Sequence, residues 1–322
     1  MKKNYKTLAP AIALLALTGV GAAAETIDVN VIVGPNEPTY KGWIAAKEYI
    51  EAETGGSVEL RVFHSGQLGA QQTRIVDVQH GQYDAAEIPP ANMASLYPPV
   101  GVLSAPYIFR DAEHMGRVFE SGIGKELVSE FEAASGIKVL DVWYYGTRHL
   151  TTNKLGTTPE ELSDVNMRIF DAPIAYEFAN ALGTVATPIS FNELYLALKT
   201  GTVEAQENPI PTIHAQKFYE VQDYLVLTGH VVDALLPVIN LDSWNALSES
   251  EQAIFLEGVR LGGDVADGIV IAKEQSLISE LESYGMKVVE VDTSPFVARA
   301  RAAYANRDEW GETLITQITS VD

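Results

Sequence analysis

Ile27, Val29, Val31 and Val33 alternate with Asp28, Asn30 and Ile32 up to Gly34-Pro35, and this period of two predicts a strand with one better-buried face. Trp43, Ala46 and Ile50 then recur at spacings of three and four, with Lys47 and Glu48 left for water, which predicts an amphipathic helix. Val58, Leu60 and Val62 restore the alternation. Strand, helix, strand in that order is a crossover unit, so the fold class is α/β with parallel pairing. Open parallel sheets hold ligands beyond the carboxyl ends of their strands.

One nine-residue pattern occurs twice. Gly81-Gln82-Tyr83-Asp84-Ala85-Ala86-Glu87-Ile88-Pro89 and Gly201-Thr202-Val203-Glu204-Ala205-Gln206-Glu207-Asn208-Pro209 both read G-x-x-[D/E]-A-x-E-x-P, each after a helical stretch. The physical reading is helix, glycine cap, short strand and proline stop, once per lobe, with both strand ends at one cleft. Later, Ser248-x-x-Glu251 makes a capping box, and helix formers continue from Ala253 to Tyr284 across Gly262-Gly263 and Gly268. A helix of that length is a rod of roughly 50 Å, enough to brace two lobes, with bends expected at the paired glycines.

The first segment changes the picture of where the chain works. Lys2, Lys3 and Lys6 precede the apolar run Leu8 to Val20, and Ala22-Ala23-Ala24 supplies the small residues read by signal peptidase. A signal peptide over residues 1–24, cleaved before Glu25, and a periplasmic product are expected. The run is shorter than the roughly 20 residues that span a bilayer. Of 322 residues, 22 are Lys or Arg and 43 are Asp or Glu, and cleavage takes the balance from −21 to −24. A nucleic-acid partner is excluded by that sign, because phosphates are neutralised by clustered cations. Length beyond a single comfortable core predicts two lobes.

Candidate chemistry narrows by elimination. The chain has no cysteine, which removes disulfides, thiolate metal sites and cysteine nucleophiles together. The six histidines form no i,i+4 pair and no H-E-x-x-H, so no metal site is expected. Gly122-Ile123-Gly124-Lys125 has Phe119 and Glu126 where a phosphate loop needs glycine and Ser or Thr, and no G-x-S-x-G or dinucleotide fingerprint occurs. No catalytic residue and no cofactor are assigned. What remains is arginine in apolar context. Val139 to Tyr145 is a strand-like run that ends at Gly146-Thr147-Arg148, and Met167-Arg168-Ile169-Phe170 sets a second arginine inside such a run. A guanidinium so flanked needs a carboxylate, either a solute's, held by its planar donor fork, or a structural one from Glu193, Glu204 or Glu207.

Several blocks together resemble a family. Gln67-Leu68-Gly69, Ala105-Pro106-Tyr107, Gly146-Thr147-Arg148, Met167-Arg168, the run from Phe191 to Leu198, Val203-Glu204-Ala205-Gln206-Glu207-Asn208-Pro209 and the run from Ala215 to Val221 are similar to the solute receptors of TRAP (tripartite ATP-independent periplasmic) transporters. The resemblance covers the whole mature chain and includes receptors for dicarboxylates, sialic acid and sugar acids. It implies a two-lobe periplasmic-binding-protein (Venus-flytrap) fold with crossing strands and a long helix bracing both lobes. The lobes are expected over 25–145 plus 234–273 and over 146–233 plus 274–322. It also implies Arg168 as the carboxylate anchor, Arg148 and Asn208 as its assistants, Phe191 as an aromatic packed on the solute, and Glu193 and Glu207 as groups that orient the arginines; Phe170, two residues past Arg168, joins the candidate ligand-binding set.

Ile32, Pro89 and Asn92 stand where sialic-acid receptors place polar contacts, which argues against sialic acid. Gln71, Gln72, Arg74 and Glu87 are expected to rebuild a polar distal pocket suited to a compact sugar acid such as glucuronate or galacturonate. A C4-dicarboxylate would require a second cation, for which Arg74 is the candidate. The expected partners are that solute and the membrane permease, with the receptor a monomer. A secreted hydrolase would need a nucleophile, base and orienter that the motifs do not supply, and a protein-binding scaffold would show an exposed apolar patch.

Overall fold

The computed structural model describes residues 24–322, so the expected signal peptide lies outside it apart from Ala24. Ten strands are present among the described residues: β1 (Glu25–Asn30), β2 (Val58–Phe63), β3 (Ala85–Ile88), β4 (Ile137–Val139), β5 (Trp143–Thr152), β6 (Asn166–Ile169), β7 (Val185–Pro188), β8 (Ala205–Pro209), β9 (Tyr224–Asn240) and β10 (Lys287–Glu290). They order as β2-β1-β3-β9-β5-β8-β6-β7, with β4 and β10 also on β9. The opening alternation forms β1, and Trp43, Ala46 and Ile50 are buried on the helix Pro38–Glu53 that carries the chain to β2, parallel to β1.

β9 joins two lobes. Its 17 residues extend roughly 55 Å at about 3.3 Å each. Its far end pairs with β3 (Ile88↔Leu236) in the first lobe, and its near end pairs with β5 (Thr152↔Tyr224) in the second. Here the structure corrects one expectation: the apolar run does not end at Gly146, because β5 continues through Arg148 to Thr152. Gly146 is a kink within the strand. Its φ is +123°, the pairing register shifts beside it, and a Cβ there would stand 2.8 Å from the Pro209 side chain. Close approach of β8 at this point therefore requires glycine.

The long helix runs from Glu249 to Ser283, opened by the Ser248/Glu251 capping box, and it touches the first-lobe helix Pro38–Glu53 as well as β5 and β10. It continues as one helix through its paired glycines. Their reason is packing: a Cβ on Gly262 would meet the Gly42 carbonyl at 2.6 Å, and one on Gly263 the Trp143 ring at 2.7 Å. Trp143 in turn packs on Trp43 with ring centroids 5.4 Å apart. Arg110 donates to the carbonyls of Thr319 and Val321, and His114 meets that of Ile318, so the end of the last helix, Gly311–Thr319, and the residues after it pack on the segment Arg110–His114.

Candidate functional site

Three neighbouring strands of the second lobe carry the site. Arg148 lies on β5, Arg168 on β6 and Asn208 on β8, and the carboxyl ends of β6 and β8 bring the last two to one cleft. Across it stand Ile32 and Val33, just past β1, and Glu87 and Pro89 at the end of β3. Together with Gln71, Arg74, Tyr145, Phe170, Phe191, Asp233 and Leu235, these groups line one cavity between the lobes.

The two second-lobe arginines differ in what they already hold. Arg148 donates through Nε and Nη2 to the Glu207 carboxylate at 2.5 and 2.8 Å, through Nη1 to Asp233 at 2.9 Å, and to Asn208 Oδ1 at 3.2 Å. Burial works against its charge, but Glu207 and Asp233 outweigh that and raise its pKa. Burial also pushes Glu207 up, yet Arg148 and the hydrogen bond from His230 hold it at about 2. Asp233, with less help from Arg148 against the same burial, sits at about 6. Neutral His230 donates Nε2–H to Glu207 at 3.2 Å, leaving Nδ1 to accept from the Thr228 hydroxyl at 2.8 Å.

Arg168 is 1% exposed and has no ion pair among the described residues. Its Nε donates to the Ile189 carbonyl at 2.8 Å and its Nη2 to Gln71 Oε1 at 2.9 Å, while its guanidinium lies 5.8 Å from the Phe191 ring centroid. Burial, only partly offset by Glu207 and reinforced by Arg148, pulls its pKa down to about 10, still fully cationic at neutral pH. A buried cation without a counter-charge is costly, and an anion entering the cavity removes that cost.

The first-lobe wall is closed in on itself. Arg74 Nη1 donates to Glu87 Oε1 at 2.8 Å, Trp43 Nε1 donates to Glu87 Oε2 at 3.1 Å, and both charged side chains are buried. Burial raises the Glu87 pKa against the pull of Arg74.

Of the sequence-predicted residues, Arg148, Arg168, Asn208, Phe170, Phe191, Arg74 and Glu87 line the cavity, and Glu207 lies behind Arg148. Three placements differ. Gln71 reaches across to Arg168 instead of serving the distal wall. Gln72, half-buried, is not among the lining residues. Glu193 is exposed and pairs with neither arginine, because Phe191, Leu194 and Leu198 set the inward face of the helix Phe191–Thr200 and position 193 falls outside it. Sequence reasoning missed Asp233 and Tyr145. A lone acid in Val231-Val232-Asp233-Ala234-Leu235 carries the same signal as Arg168 in its own apolar run.

The lobes are closed on the cavity, tied by Gln71 to Arg168 and by Asn192 Nδ2 to the Ser65 carbonyl at 3.5 Å. Solved structures similar to this one include ligand-bound and apo open forms. A TRAP periplasmic solute-binding protein from Polaromonas sp. JS666, bound to D-erythronate, superposes with a TM-score of 0.87 at 28% identity, covering 92% of this chain and 99% of that one. An apo open TRAP protein from Escherichia fergusonii gives 0.80 at 27% identity, covering 93% and 100%. Among sequences, the sialic acid-binding periplasmic protein SiaP of Vibrio cholerae is 29% identical over 313 residues, 96% of this chain and 98% of that protein. The family model of the bacterial extracellular solute-binding proteins, family 7, matches residues 29–309, and the chain belongs to that family of TRAP solute receptors.

Proposed function

We propose that the chain is a periplasmic receptor that captures a small organic monocarboxylate, a sugar acid and foremost a hexuronate such as D-glucuronate or D-galacturonate, and presents it as a monomer to a TRAP membrane permease. The observation that carries this reading is Arg168: a buried guanidinium facing the cavity with no carboxylate of its own. The solute carboxylate would take the place of Gln71 Oε1 on Arg168, with Asn208 and the Arg148 edge beside it and Phe191 against its body. Asp233, Tyr145 and Glu87 offer hydrogen bonds to hydroxyls, while Ile32, Pro89 and Leu235 supply apolar parts of the wall. The structural relative that holds D-erythronate and the sequence relative named for sialic acid both point to acids of sugars.

A dicarboxylate is disfavoured by one contact. Arg74, the cation that would meet a second carboxylate, is already neutralised by Glu87. A thermal-shift screen of D-glucuronate, D-galacturonate, D-erythronate, the neutral parent sugars, succinate and malate tests both halves. A ligand at 100 times its Kd stabilises by roughly 2.7 kcal/mol. Sugar acids are expected to shift the transition, neutral sugars not at all, and succinate weakly. Stronger stabilisation by succinate than by every sugar acid would overturn the monocarboxylate reading.

A further inference from the structure

Glu37 is fully buried at the entry to the helix Pro38–Glu53, yet its side chain does not cap that helix. It points across the cleft to the second lobe. Gln216 Nε2 donates to Glu37 Oε1 at 2.9 Å, and Thr212 Oγ1 stands 3.1 Å from Glu37 Oε2. The same Thr212 Oγ1 lies 2.9 Å from the hydroxyl of Tyr145, which lines the solute cavity. Thr212 is 1% exposed, so no bulk water mediates between the two.

A threonine hydroxyl has one proton and cannot donate to both neighbours. When Glu37 is a carboxylate it only accepts, so Thr212 donates to Glu37 and Tyr145 must donate to Thr212. Tyr145 then offers the cavity only acceptor lone pairs. When Glu37 carries a proton it can donate to Thr212, Thr212 donates to Tyr145, and the phenol proton is free to point at a solute oxygen. We propose that Glu37, Thr212 and Tyr145 form a proton relay across the closed cleft, in which the protonation of Glu37 fixes both lobe closure and the donor or acceptor face that Tyr145 shows the solute. Glu37 is a positioning residue in this scheme, acting through Thr212 and Tyr145, and the relay rests on the solute reading above.

The charge environment supports it. Burial raises the Glu37 pKa to about 7, with the hydrogen bonds from Gln216 and Thr212 and the charge of Lys41 one turn along its own helix opposing that rise. The groups facing it are Tyr145 from β5, Thr212 from the helix Ile210–Ala215 and Gln216 just past its end. Burial and the charge of Glu37 hold the Tyr145 phenol above its ordinary value, so it keeps its proton throughout. Parting the lobes would return Glu37 to water and to its ordinary value of 4.5. A carboxyl whose pKa is higher in the closed state favours closure most below its open-state value, and that advantage is lost as pH rises through about 7.

The test is titration calorimetry with D-glucuronate, D-galacturonate and D-erythronate between pH 8 and pH 5.5. Wild-type affinity is expected to rise by roughly an order of magnitude as pH falls, with proton uptake on binding. Glu37→Gln should flatten the profile, and Thr212→Val, which removes a bond to the carboxylate, should move its midpoint to higher pH. Tyr145→Phe should weaken binding more at pH 5.5 than at pH 8. A profile unchanged in Glu37→Gln would assign the titration to Asp233 and overturn the relay, as would an unmoved midpoint in Thr212→Val or an equal penalty at both pH values in Tyr145→Phe. Failure of all three acids to bind the wild type would instead sink the solute reading, and the relay with it.

Discussion

The two copies of the G-x-x-[D/E]-A-x-E-x-P pattern fold alike and do different work. Each ends a helix at a left-handed glycine, Gly81 at φ +64° and Gly201 at φ +70°, then runs a short strand, β3 or β8, whose buried glutamate meets an arginine. In the first lobe Glu87 takes Arg74 and the charges balance one to one. In the second, Glu207 and Asp233 share Arg148, and Arg168 stands 1% exposed with neither. The lesson is that a buried ion pair is scaffolding in both lobes, while the binding charge is the one the scaffold leaves without a partner. Glu207 therefore serves the site indirectly: it fixes Arg148, and with it Asn208, beside the cation that awaits the solute.

Breaking the second-lobe copy should have the largest effect. Glu207→Gln removes the charge, and one of the two acceptor oxygens, that take two Arg148 bonds and one from His230, and removing one partner of a buried ion pair costs about 3–5 kcal/mol. The loss should appear in denaturant unfolding and exceed that of Glu87→Gln, whose carboxylate serves one arginine and one indole. pH sharpens the contrast. Glu207 is held at about 2, so its stabilisation is present above its ordinary value of 4.5 and is lost as pH falls from there through about 2. Asp233, raised to about 6, has the opposite sign: its contribution is full below its ordinary 3.8 and fades as pH rises through about 6. The acid limb of the stability profile should be shallower in Glu207→Gln, and a limb as steep as that of the wild type would remove Glu207 as its source.

Next in size is the unpartnered cation. Arg168→Ala should abolish detectable binding of D-glucuronate with the fold intact by circular dichroism. The interaction between a buried arginine and a bound carboxylate is worth about 2–5 kcal/mol, and no protein acid is orphaned by the change. Calorimetric binding within tenfold of wild type would show that another group anchors the solute. A smaller effect is expected when the balanced pair is unbalanced: Glu87→Gln leaves Arg74 without its counter-charge at the far wall. That variant should shift preference toward succinate relative to D-glucuronate by roughly tenfold, about 1.4 kcal/mol. No shift in a competition assay would mean that Arg74 cannot reach a second carboxylate.

How much of this was legible before the structure follows from what kind of information each feature needs. The alternation in β1, the helix phase of Trp43, Ala46 and Ile50, the Ser248 capping box and the repeated strand pattern are local, and each was read in place. Arg168 was legible for the same reason, since its apolar flanks alone demand a counter-charge. Which carboxylate meets which arginine was not, because that depends on the register of β5 against β9, and the register shifts at Gly146. Gln71 could not be placed on Arg168 because that contact exists only across the closed cleft. The seating of Ile318 and Thr319 is likewise a matter of docking, carried by Arg110 and His114 from about 200 residues away.

Glu193 supplies the smallest effect and the sharpest check on reading roles from resemblance. It occurs in a block, Phe191 to Leu198, that matches receptors of this family, and the resemblance implied that it orients an arginine. The helix phase says otherwise. Phe191, Leu194, Ala197 and Leu198 recur at spacings of three and four on the buried face, and Glu193 falls on the exposed side, where its carboxylate has no ion pair among the described residues. Surface substitutions away from specific partners change stability by no more than about 0.5 kcal/mol. Glu193→Ala should therefore leave affinity for D-glucuronate within about twofold of wild type and leave the unfolding midpoint unmoved. A loss approaching that of Arg168→Ala would mean that the helix turns its other face to the cleft when solute is bound, and that the unpartnered state of Arg168 is not what marks the site.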